Sequence, residues 1–91
     1  MNTSANKSTT TPDEDMTMES AVLQRVVAVH PARLTMPELI RELAGEEADF
    51  GSRDAVERAA RDLSGVGLVH IADDFVTPTY AALRYTELLE L

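Results

Sequence analysis

Between residues 52 and 79 the apolar residues of this chain change their period. In SRDAVERAARDLSGVG, Val56, Ala59, Ala60 and Leu63 recur at intervals of three and four, the spacing of one buried helical stripe. In GLVHIADDFVTPT, two short runs, Leu68-Val69-His70-Ile71 and Phe75-Val76-Thr77, flank Asp73-Asp74. Leu68, Val69, Ile71, Phe75 and Val76 are too apolar for a loop, and Asp suits a tight turn, so this stretch predicts a β-hairpin. Only one parity of each strand can face a core. Gly65 or Gly67 is the break between the two patterns. A chain with this switch must turn from a helix into a hairpin almost at once, which restricts it to a mixed fold.

The remaining segments read as helices. TPDEDMTMESAVLQRVVAVH has Thr11, Pro12 and Glu14 as N-cap, N1 and N3, with Asp13, Glu14 and Asp15 at the positive end of the helix dipole. A start near Thr17 fits the pattern equally well. Val22, Leu23, Val26 and Val27 form its apolar face, and Pro31 ends it, with His30 closing the last turn. TMPELIRELAG carries a second T-x-x-E capping box, Thr35 with Glu38, and directs Met36, Leu39, Ile40 and Leu43 inward until Gly45 stops it. Residues 32–34 can extend and add a short strand to the hairpin. GEEADFG is an acidic loop with Phe50 as its apolar anchor, and Ser52 is the expected N-cap of the third helix. Thr77-Pro78-Thr79 leads into a last helix, YAALRYTELLEL. On it Ala81, Tyr85, Leu88 and Leu89 form the main apolar side, with Tyr80 and Tyr85 as packing residues, while Leu83 falls on the side of Thr86 and Glu90.

Composition removes several classes of function. The absence of cysteine excludes disulfides, thiolate metal sites and cysteine nucleophiles. His30 and His70 lack ligand spacing, so no metal site is expected. No nucleophile–base pairing and no glycine-rich phosphate loop stands out, so the expectation is a protein that is not an enzyme and needs no cofactor. Residues 1–11, MNTSANKSTTT, are too polar to offset the entropy of ordering and predict a disordered tail ahead of one domain over residues 12–91. That domain of roughly eighty residues is near the size where a lone core is marginal. With no apolar leader and no membrane-length run, a cytoplasmic protein without membrane contact is expected.

The stretch AVERAARDLSGVGLVHIADDFVTPTYAALRY, residues 55–85, resembles the winged-helix superfamily, in particular small bacterial regulators of the MarR and PadR type. An amphipathic helix runs into Leu63, a glycine, Leu68-Val69, a short wing and a VTPT step into another helix. The resemblance implies an α+β, mostly α, winged helix-turn-helix: three helices, a β-hairpin wing and a C-terminal helix. It also implies a regulator of transcription that binds double-stranded DNA, with residues 52–64 as the recognition helix in the major groove. Ser52, Arg53, Arg58 and Arg61 are then the candidate DNA contacts.

The charges pull the other way. Sixteen acids stand against eight bases, a net charge of −8, and the only lysine, Lys7, is in the tail. Asp54–Arg58 and Glu57–Arg61 are i,i+4 pairs with the acid first, so the recognition face is close to self-neutralised. Asp73 and Asp74 would oppose the phosphates and forfeit the counterion release that drives such binding. These residues suit an acidic winged-helix adaptor that binds protein and leaves DNA alone. A continuous patch of Arg25, Arg53, Arg58 and Arg61 would favour DNA; a negative surface favours the adaptor. The small core, with Leu83 and Leu91 off the main stripe, also predicts a homodimer formed through the first and last helices, with Leu83, Leu88 and Leu91 at its interface.

Overall fold

A computed structural model describes residues 12–91. The expected tail, residues 1–11, and the cap at Thr11 lie outside the described residues. The order is α1 (Pro12–Val29), β1 (Leu34–Thr35), α2 (Met36–Ala44), α3 (Phe50–Gly65), β2 (Val69–Ala72), β3 (Phe75–Pro78) and α4 (Tyr80–Leu89). The fold is thus α+β and mostly helical, with one small antiparallel sheet in the order β1-β3-β2. Of the two starts that the sequence allowed for α1, the earlier holds: Pro12 is helical.

The core forms where the periodic residues converge. Val22 and Val26 of α1 meet Val56, Ala59, Ala60 and Leu63 of α3, and the two alanines let these helices approach closely. Leu39 and Ile40 of α2 close one end, and Leu34, Val69 and Val76 of the sheet close another. Of residues 32–34 only Leu34 joins the hairpin; the strand is Leu34–Thr35, with Leu34 opposite Val76 and Thr35 opposite Phe75. In the hairpin Ile71 faces Val76 and Ala72 faces Phe75. That register turns Val69 and Val76 into the core. It leaves Phe75 on the other face, where the Arg33 guanidinium lies 4.1 Å from its ring centre.

The turn is two residues long, and both are left-handed: Asp73 has φ 51° and Asp74 φ 69°. Short hairpins need this pair of conformations to match the twist of their strands, and Asp tolerates them better than most side chains. The Asp74 carbonyl accepts a 2.8 Å hydrogen bond from the Met36 N–H, so the turn is bound to the start of α2.

Thr35 caps α2 as the sequence indicated. Its hydroxyl accepts from the Glu38 N–H at 3.2 Å, and the Glu38 carboxylate accepts from the Thr35 N–H at 2.8 Å. Gly45 ends that helix at φ 96°. The start of α3 differs from expectation. Asp49 is the N-cap, accepting from the Ser52 N–H at 2.8 Å, so Phe50 is the first helical residue and Ser52 the third. Phe50 anchors nothing; it is 84% exposed.

The orientation of α4 is also a correction. Ala82 is its buried residue, with Leu83 and Thr86 half-buried beside it, whereas Ala81, Tyr85, Leu88 and Leu89 are exposed. Tyr80 and Tyr85 are surface residues, not packing residues. The longest apolar stripe on this helix faces away: α4 contacts β3, and the side that carries Ala82, Leu83 and Thr86 is the covered one. Thr79 sets that geometry. Its hydroxyl donates to the Gly67 carbonyl at 2.8 Å and accepts from the Ala82 N–H at 3.2 Å, tying α4 to the exit of α3.

Candidate functional site

A concave surface lies where α2, the turn after it, the start of α3 and the hairpin turn meet. It is an open groove of about 530 Å³. Met36 and Ile40 belong to its floor; Arg41 and Arg53 contribute positive charge, Glu57 and Asp74 negative charge. Phe50 is not part of the lining; it is exposed on the first turn of α3, three residues before Arg53. The groove follows from local folding: the Thr35 cap starts α2 beside the hairpin turn, and Gly45 turns the chain so that α3 begins across from Arg41.

The four candidate DNA contacts all lie on α3 but differ in their surroundings. Arg58 is half-buried between helices: it meets Asp54 at 2.7 Å and Asp15 of α1 at 3.8 Å. Arg61 is exposed but pairs loosely with Glu57 at 3.9 Å. Arg25 faces α2 and is ion-paired with Glu42. Ser52 and Arg53 remain on the exposed first turns of α3. The leucines proposed for a dimer also separate, with Leu88 and Leu91 outward and Leu83 turned toward β3.

Arg41 and Arg53 are the two arginines of the described residues that carry neither an ion pair nor a stacked ring. Both border the groove. Arg41 was not singled out from sequence, because on α2 it reads as an ordinary solvated cation. Phe50 was missed as a surface feature because Ser52 is the better-known capping residue. Reading Asp49 three places before Ser52 as the cap would have moved Phe50 onto the helix.

Hydrogen bonding sets the carboxylate chemistry here. The Ser52 backbone and side chain hold the Asp49 carboxyl below its ordinary range, and Thr35 does the same for Glu38, with help from Arg41. Elsewhere, where α1 meets α3, burial and then the charge of Asp62 and Asp15 raise Glu19 above the usual carboxylate value. Among the described residues no group of three or more His, Asp or Glu side chains could hold a metal ion. No helix of the described residues is long and apolar enough to cross a membrane.

The arrangement offers an exposed aromatic ring, a mainly polar groove with Met36 and Ile40 in its lining, and charges of both signs. No protein-family model, no curated protein and no solved structure matches this chain.

Proposed function

We propose that this chain is a winged-helix-type interaction module that binds another protein on the face shared by α2 and α3. The order α1-β1-α2-α3-β2-β3-α4, with the hairpin following the third helix, supports the winged-helix part. The exposure of Phe50, one helical turn before the groove-lining Arg53, is the observation that carries the protein-binding part. Aromatic side chains and arginines are enriched among the anchors of protein interfaces. Arg41 and Arg53 are free to pair with a partner's carboxylates, while Glu46, Glu57 and Asp74 select against a uniformly anionic one.

The second reading is a transcription regulator that binds duplex DNA through α3, and the availability of Arg53 favours it. The remaining arginines weaken it. Arg58 would have to give up Asp54 and Asp15, and Arg61 its pairing with Glu57, before either met a phosphate. Asp49, Asp73 and Asp74 also lie on the approaching surface.

A photo-crosslinking side chain at position 50, introduced in cells that make this protein, tests both. The adaptor reading expects crosslinks to a protein, reduced by Arg53→Glu and Arg41→Glu. Fluorescence anisotropy with duplex genomic fragments at low salt is the companion measurement. Binding that Arg53→Ala plus Arg61→Ala abolishes would overturn the adaptor reading in favour of DNA.

A further inference from the structure

We propose that the joint between α1 and α3 is tightened by acid and loosened towards neutral pH. Glu19 of α1 and Asp62 of α3 share a proton across the seam in acid and repel each other once both are ionised. The proposal stands apart from the α2–α3 face and needs neither reading of it.

The register of the seam sets the pair up. Asp15 of α1 meets Arg58 of α3 at 3.8 Å. Glu19 and Asp62 lie four residues further along their helices, so the turn after an attractive contact brings two acids together. All four residues line one narrow cleft between α1 and α3, along with Ala55 and Ala59, whose short side chains let the helices close up. No charged residue of α2 or of the sheet lines that cleft. The groups that Glu19 faces are therefore Asp15 on its own helix and Arg58 and Asp62 across the seam.

The cation in the cleft is turned to other acids. Arg58 is held by Asp54 at 2.7 Å and by Asp15, and neither Glu19 nor Asp62 forms an ion pair among the described residues. Glu19 and Asp62 instead hydrogen-bond to each other. Ionised carboxylates only accept, so this bond exists only while one of the two holds a proton taken from solvent. Burial first, and then the charges of Asp62 and Asp15, make Glu19 keep that proton above the ordinary carboxylate range. The folded chain thus binds it more tightly than the unfolded one. The stability that results is complete below the ordinary range and is lost as the pH rises through the raised value. Val22, fully buried, follows Glu19 by three residues, so the repulsion acts at the margin of the core and not on a loose end.

Thermal melts of the full chain from acid to neutral pH test this with Glu19→Gln, Asp62→Asn and the double variant. Glu47→Gln, which removes a charge from the exposed turn after α2, is the control for net charge. At neutral pH each single substitution in the seam should raise Tm by roughly 2 °C, and the gap to wild type should close below about pH 4. The double variant should gain less than the sum, because either change alone removes the repulsion. Amide hydrogen exchange of the wild type and Glu19→Gln at one neutral pH locates the effect: protection should rise in α1 more than in α2. A neutral-pH Tm that Glu19→Gln leaves unchanged or lowers overturns the proposal. So does a gap that persists in acid, additivity of the two substitutions, an equal gain from Glu47→Gln, or protection that rises equally in α2.

Discussion

Asp73 and Asp74 show how one pair of residues can be misread through its charge. At the tip of a hairpin they look like a statement about partners, but their backbone explains them first. Both have positive φ, where ordinary L-residues are disfavoured by roughly 1–2 kcal/mol each. Asn-Gly suits such a turn better. Asp73→Asn with Asp74→Gly should therefore raise stability by about 1 kcal/mol, read as a higher midpoint in urea with the slope unchanged. An unchanged or lower midpoint would mean that the carboxylates contribute something beyond turn geometry. Glu38 makes a second prediction at this scale. Thr35 holds its carboxyl below the ordinary value, so the folded chain binds fewer protons there than the unfolded one. The resulting stability is present above the ordinary carboxylate range and is lost as the pH falls through the depressed value. Glu38→Gln should flatten that part of the acid limb of Tm against pH, while Thr35→Ala should cost about 1 kcal/mol at neutral pH.

At the scale of elements, the start of α3 is the sharpest difference between sequence and structure. Asp49→Ala should lower Tm by several degrees, whereas Ser52→Ala, which keeps its backbone N–H and loses only the side-chain contact to Asp49, should cost clearly less. The opposite ranking would restore Ser52 as the cap. Most of the elements were legible, and for an identifiable reason. Val56, Ala59, Ala60 and Leu63 are all buried because a helix stripe has one solution when the opposing helix is also periodic. The Thr35–Glu38 box and the hairpin were legible because their hydrogen bonds and turn are local. The face of α4 was not. Its apolar residues lie on both sides, and which side meets β3 is set by how α4 sits on the sheet, a tertiary fact that periodicity does not hold. The site was legible only in part for a similar reason. Helical phase puts Arg58 outside the stripe, but only the packing of α1 brings Asp15 to it.

The whole molecule spends most of its cations on itself: Arg25 joins α1 to α2, Arg58 joins α3 to α1, and Arg33 covers Phe75. What remains outward is mainly acidic, with two open arginines gathered at one groove and an apolar helix at the far end of the chain. That last helix has an optical consequence. The chain has no tryptophan, and its only two tyrosines, Tyr80 and Tyr85, both sit on exposed positions of α4. Emission excited near 280 nm therefore reports one peripheral helix and is blind to the valine and leucine core. On heating, tyrosine emission should change before the far-UV signal does, because α4 buries only Ala82 and packs on β3 while α1, α2 and α3 share the main core. Coincident transitions would show that this helix melts with the core, and an ordinary fluorimeter is enough to tell the two apart.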